Sequence, residues 1–209
     1  TKTIASFNAF SFHELELENL IHSGKEWFGE RFNSQNSQSF DFSFPNLEMT
    51  FPVTVKTAVA ARSLNPSVFS VAVNSEPLQT ISVQNIVTTY ATEYAKTSSK
   101  TSEYIASSSN LSIDIEYSST DNGALSWLNY IEVNARRKLK MSGNSLLFRD
   151  ASSIGNEVGA FELSNANNGI TVWDVTDPTS VVEMPLTISG NTLIFNDSIS
   201  ELHEYIAFN

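Results

Sequence analysis

The sequence predicts an all-β chain: a jelly-roll-like β-sandwich over residues 1–140, followed by an additional β extension over residues 141–209. The first observation is period-two alternation, as in Phe40-Asp41-Phe42-Ser43-Phe44 and Leu111-Ser112-Ile113-Asp114-Ile115-Glu116-Tyr117, which gives each strand one apolar face. The second is that the opposite face is mainly Ser, Thr, Asp, Glu, Lys or Asn, the pattern of sheets packed on one side and wet on the other. The third is turn chemistry at intervals between these runs.

Along the chain, the best helical candidate is residues 13–21, where Leu17, Leu20 and Ile21 share a face beneath Glu14, Glu16 and Glu18; at most short helices are expected. Strands follow at Phe40-Asp41-Phe42-Ser43-Phe44, Val53-Thr54-Val55-Lys56 and Phe69-Ser70-Val71-Ala72-Val73, with Leu64-Asn65-Pro66-Ser67 turning the chain before the third. Residues 90–109, anchored by Tyr90, Tyr94, Tyr104 and Ile105, read as two edge strands joined at a mobile tip, Thr97-Ser98-Ser99-Lys100. After the strand at residues 111–117, Asp121-Asn122-Gly123 makes a turn into Tyr130-Ile131-Glu132-Val133-Asn134. A sub-boundary is expected around Ser142, and turns at Ser142-Gly143-Asn144, Asn167-Asn168-Gly169 and Ser189-Gly190-Asn191 separate the strands of the extension. Val172-Trp173-Asp174-Val175-Thr176-Asp177-Pro178 resembles a propeller-blade phrase but occurs once, so it reads as a strand entering a proline turn.

Composition removes several function classes. A chain of 209 residues can bury a full core without staples, and it has no cysteine, which excludes a thiol nucleophile, a Cys-ligated metal and any disulfide framework within it. A net charge of −11 argues against nucleic acid and anionic membrane surfaces, both of which are bound through clustered Lys and Arg. No apolar run is long enough to span a bilayer and no export signal is present, so any such signal is expected outside this chain, both ends of which read as cuts through a longer polypeptide.

Chemistry of the chain's own is not expected, and no catalytic, metal or cofactor residue is assigned. A serine triad would have to draw on His13, His22 or His203, and no serine sits in a Gly-x-Ser-x-Gly elbow. Glu14, Glu16 and Glu18 supply carboxylates for glycoside hydrolysis but read as a solvated face. Calcium is the metal the residue types suit best, through Asp121-Asn122-Gly123 or Asp174 with Asp177, yet neither is a full calcium loop. Trp27, Phe28, Trp127 and Trp173 are candidates for stacking on a sugar, as in a carbohydrate-binding module, the main alternative reading. Trp127 is expected in the core, whereas Trp27-Phe28-Gly29 is the better interface candidate. Arg136-Arg137-Lys138-Leu139-Lys140 is the only positive cluster, expected on a solvated edge or docking a neighbouring domain. Trp27, Phe28, Arg136 and Arg137 are therefore the residues expected to face another domain.

Four phrases in order, Ser23-Gly24-Lys25-Glu26-Trp27-Phe28-Gly29-Glu30-Arg31-Phe32, Ala60-Ala61-Arg62-Ser63, Trp127-Leu128-Asn129-Tyr130-Ile131-Glu132-Val133-Asn134-Ala135-Arg136-Arg137 and Leu147-Phe148-Arg149-Asp150, resemble the PorU-type sortases of the Bacteroidetes type IX secretion system, which belong with the gingipain-type cysteine peptidases. Phe161-Glu162-Leu163-Ser164-Asn165-Ala166, the residue 172–178 phrase and the closing Glu204-Tyr205-Ile206-Ala207-Phe208 extend the likeness over nearly the whole chain. The resemblance implies a β-rich segment preceding the peptidase domain, whose His and Cys lie later in the polypeptide. It further implies an exported parent at the outer membrane, facing outward, that removes C-terminal sorting signals and attaches cargo to the cell surface. The implied partners of this segment are the peptidase domain of the same polypeptide, secreted cargo and other secretion components.

Overall fold

The computed structural model describes residues 1–209 except Ser23, residues 33–35, residues 90–92 and Asn156; Tyr90, expected as an anchor, lies outside the described residues. The strands are β1 (Lys2–Ile4), β2 (Ser6–Glu14), β3 (Ser37–Ser43), β4 (Val53–Arg62), β5 (Ser67–Val73), β6 (Glu76–Val83), β7 (Lys96–Tyr104) and β8 (Asn110–Ser119). They continue with β9 (Leu125–Lys138), β10 (Ser145–Arg149), β11 (Val158–Ser164), β12 (Thr171–Asp174), β13 (Val182–Glu183), β14 (Thr187–Ser189), β15 (Thr192–Ser198) and β16 (Glu204–Phe208). A three-residue 3-10 turn, Ala151–Ser153, is the helical element among the described residues, and no helix there is long and apolar enough to cross a membrane. The chain is an all-β sandwich protein, as its alternation requires.

Contacts divide it into two units, the first comprising Thr1–Ala9, Phe44–Phe51 and Ala135–Asn209 and the second Phe10–Ser43 and Pro52–Asn134. The second unit is a jelly roll. One of its layers runs β2-β9-β4-β7 and the other β3-β8-β5-β6, so strands adjacent in sequence repeatedly land in opposite layers. Both layers send alternate residues inward: Val53, Val55 and Val59 from β4, Ile131 and Val133 from β9, Phe69, Val71 and Val73 from β5, Leu111, Ile113 and Ile115 from β8. Gln79 of β6 crosses this core, its Nε2 donating to Thr57 Oγ1 of β4 at 3.3 Å. Its amide nitrogen is tolerable there because it finds partners in Thr57 and the Lys100 carbonyl.

The first unit is built the same way on a smaller scale. One layer runs β1-β11-β15-β14 and the other β13-β12-β16-β10, with β10 reaching the start of β2 at Arg149↔Asn8. Phe161 and Phe195 of the first layer stack at 4.8 Å and 3°, and Tyr205 and Phe148 of the second close on them at 5.0 Å and 6.3 Å. These rings form the core between the layers, each bringing a large apolar area into a small unit.

Three expectations are corrected. Residues 13–21 are not helical: β2 continues to Glu14, and the backbone N–H groups of Leu17 and Glu18 both donate to the Phe28 carbonyl at 3.0 Å. Tertiary pairing overrides a short and weak helical pattern. Among the described residues of 90–109 there is one strand rather than two, because the supposed tip at residues 97–100 pairs along β4, from Ala60↔Thr97 to Thr57↔Lys100. As the outermost strand of its layer, β7 can be polar on both faces and still pair on one side. Finally, the basic run is no solvated edge. Glu48 N donates to Arg136 O at 2.8 Å, Lys138 N to Asn46 O at 2.9 Å and Leu139 N to Ala5 O at 2.8 Å, so its backbone is paired within the first unit.

Candidate functional site

In the second unit the segment after β2 doubles back over one layer and is stitched to it. Glu18 and Phe28 exchange backbone hydrogen bonds, then Gly29 N donates to Leu128 O at 2.8 Å, Leu128 N to Glu30 O at 2.9 Å and Phe32 N to Ser126 O at 3.0 Å. Phe28 thereby enters an apolar cluster with Ala60 and Trp127, flanked by Leu20, Ala95 and Leu125. Beside it, Trp127 Nε1 donates to Glu18 Oε2 at 2.8 Å, and Arg31 grips the same carboxylate with two donors, Nε at 2.6 Å and a terminal nitrogen. The Arg31 hydrogen bond holds the Glu18 carboxyl below its usual range; partial burial opposes this and the Trp127 N–H reinforces it.

This arrangement sorts the sequence candidates. Trp127 is core, with its ring fully buried. Phe28, expected to face another domain, is 3% exposed and lies in its own unit's cluster, while Trp27, next to it in sequence, is 40% exposed. Glu14 and Glu16 are exposed, and Glu18 is held ionised, the opposite of what a glycosidase acid needs. A groove lined by Leu20, Ile21, Lys25, Glu26, Tyr94 and Thr97 runs beside Phe28. Arg62 lies over the Tyr94 ring at 4.4 Å and donates to the Tyr94 carbonyl at 2.7 Å, fixing one wall.

In the first unit the two candidate arginines support structure from within. Arg136 meets Asp150 through two parallel hydrogen bonds, 2.6 Å and 3.0 Å, and Nε reaches Ser6 Oγ at 3.0 Å. The side chains are only 15% and 4% exposed. Arg137 donates to Pro45 O at 2.6 Å and lies over the Phe7 ring at 5.2 Å, with burial lowering its pKa from the ordinary arginine value. Sequence spacing carried no sign of Asp150 as a partner, because the pairing depends on how β9 and β10 are brought together.

The remaining candidates resolve into local roles. Asp121 accepts from Leu64 N at 2.7 Å and Gly123 N at 2.9 Å, and these two donors hold its carboxyl below the usual range, so it fastens two turns. Asp177 accepts from Thr179 N and Oγ1 at 2.8 Å and 2.7 Å in the turn after β12. His13 Nε2 meets Glu30 Oε1 at 2.6 Å and His203 Nδ1 meets Asp174 Oδ2 at 2.7 Å, so both pair with carboxylates rather than serine hydroxyls. His22 is exposed. Trp173 is partly exposed and packs edge-on against Phe208 at 4.8 Å.

No family model matches the chain, and no curated protein matches its sequence. Among solved structures it is similar to dimeric latent PorU from Porphyromonas gingivalis, with a TM-score of 0.79 and 18% identity over 99% of this chain and 20% of that one. The chain thus has the fold of a PorU segment and spans about a fifth of that protein, 20% of its length. It is also similar to the CBM36-1 domain of a multidomain xylanase from the hindgut metagenome of Trinervitermes trinervoides, at a TM-score of 0.38 and 9% identity over 61% of this chain and 94% of that one. A likeness that loose carries no functional argument.

Proposed function

We propose that this chain is an accessory β segment of a PorU-like sortase, carrying no catalytic centre of its own and bracing or orienting the cysteine-peptidase domain of the same polypeptide. The observation that carries the reading is the fold match, which takes in 99% of this chain yet only 20% of the PorU structure. The absence of cysteine supports it, since a cysteine peptidase's nucleophile must then lie elsewhere. So does the order of the resembling phrases along nearly the whole sequence. The parent would be exported and face outward from the outer membrane, removing C-terminal sorting signals and attaching cargo to the cell surface.

Within this reading the four residues expected from sequence to face another domain divide by exposure. Trp27 is the exposed aromatic among them, the kind of side chain that dominates interface energies. Phe28 is buried with Ala60 and Trp127, and Arg136 and Arg137 are hydrogen-bonded to Asp150 and Pro45 within the first unit. Contact with cargo or other secretion components would use the same exposed surfaces.

The test is to incubate the purified chain with fluorogenic peptides, including C-terminal sorting-signal peptides. No turnover is expected. Turnover by this chain alone would contradict the proposal.

A further inference from the structure

Asp174 at the end of β12, Asp197 in β15 and His203 just before β16 converge from both layers of the first unit. His203 Nδ1 lies 2.7 Å from Asp174 Oδ2 and 3.8 Å from Asp197 Oδ2, and one ligand atom from each of the three residues falls within 4.8 Å of the others. Each carboxylate is oriented by a backbone donor on its other oxygen: Asp174 Oδ1 accepts from Thr176 N at 2.8 Å, and Asp197 Oδ1 from Ser198 N at 2.7 Å. That leaves both Oδ2 atoms aimed at one imidazole nitrogen.

The surroundings reinforce this arrangement. Tyr205 donates its hydroxyl to Asp197 Oδ2 at 2.7 Å, and its ring stacks with His203 at 6.0 Å and 16°. Burial foremost, and then Asp197, raise the Tyr205 pKa far above the ordinary phenol value, so the hydroxyl remains a donor. Burial would raise the Asp174 pKa, but the Thr176 and His203 hydrogen bonds outweigh it and keep the carboxyl below its usual range. The side chains of His203, Asp174 and Asp197 are 19%, 15% and 22% exposed.

We propose that this cluster is a zinc site, with His203 Nδ1, Asp174 Oδ2 and Asp197 Oδ2 as protein ligands and water completing a tetrahedron. One imidazole with two carboxylates suits a borderline cation such as Zn²⁺, whereas calcium would want six or more oxygens. Metal–ligand bonds of about 2.0–2.2 Å set neighbouring ligands roughly 3.4 Å apart in a tetrahedron. The 3.8 Å pair is near that spacing already, and the 2.7 Å pair opens as the proton between His203 and Asp174 leaves and the ion enters. With Nδ1 as the ligand, Nε2 faces Glu201 Oε1 at 4.0 Å, the side on which metal-bound histidines commonly meet an outer carboxylate. The ion would staple β12, β15 and the entry to β16, tying together the two layers of this unit. Asp177, which sequence set beside Asp174 as a candidate calcium ligand, accepts from Thr179 in its own turn, while Asp174 meets His203 and Asp197.

The chain has three histidines, so imidazole ¹⁵N NMR during a zinc chloride titration of EDTA-stripped protein reads each one separately. The expected result is one-to-one binding that shifts the His203 Nδ1 resonance and leaves His13 and His22 in place. The melting temperature should rise with zinc but not with calcium chloride, and Asp197→Asn and His203→Gln should each abolish that rise. No zinc-dependent change at His203 in the unmutated chain overturns the site. So does a zinc response located at His22 or His13, or a stabilisation that survives in both variants.

Discussion

Arg136 and Glu18 behave differently from what residue type alone suggests, because each is defined by a partner distant in sequence. The paired Arg136 and Asp150 side chains are mostly withdrawn from water, so removing one leaves the other charged without a counterion. Arg136→Ala should therefore lower unfolding free energy by about 3–5 kcal/mol in urea denaturation, far more than a surface ion pair would. Glu18 gives a pH signature. Its carboxyl is held below the ordinary 4.5 by Arg31 first, and then by the Trp127 N–H, against the opposing effect of burial. A depressed carboxyl contributes stability above the unfolded-state pKa and loses it as pH falls through the lower folded-state value. The stability gap between wild type and Glu18→Gln should thus be constant near neutrality and close on acidification below about 4.5, as followed by thermal melts across pH. Neither partnership was legible in sequence: Trp127 lies 109 positions from Glu18, and nothing in the spacing of the basic run pointed to Asp150.

Strands were the most legible elements, because period two is written directly into residues such as Phe69, Val71 and Val73, all of which face the core. Turns were also readable where backbone geometry demands them. Gly143 and Gly190 adopt φ of 76° and 62°, a region that residues with a side chain seldom occupy. The misread elements are those whose backbone partners lie far away. The segment after β2 carries a helical pattern in Leu17, Leu20 and Ile21, yet its hydrogen bonds go to residue 28, and Phe28 holds it against the layer. Phe28→Ala should cost roughly 3–5 kcal/mol by leaving a cavity beside Trp127. It should also speed amide exchange at Leu17 and Glu18, whose N–H groups bond to the Phe28 carbonyl. Loss of stability without faster exchange at these two amides would show that the segment is held by something else.

For the whole molecule, alternation and turns pointed to a jelly-roll-like sandwich, and the order β2-β9-β4-β7 against β3-β8-β5-β6 gives it a definite topology. The gathering of Thr1–Ala9 and Phe44–Phe51 with Ala135–Asn209 into one unit lies beyond linear reading, since it depends on strand pairing across long separations. Function is less legible than fold, because sandwiches host many unrelated activities. The proposed accessory role draws on the PorU-like fold and the missing cysteine, with the exposed Trp27 as its proposed contact. The most direct test is sedimentation velocity of this chain mixed with a separately expressed PorU-type peptidase domain. The account predicts a one-to-one complex at micromolar concentration that Trp27→Ala weakens by about tenfold or more, as loss of an aromatic anchor does. Two species that sediment independently at every concentration would contradict it.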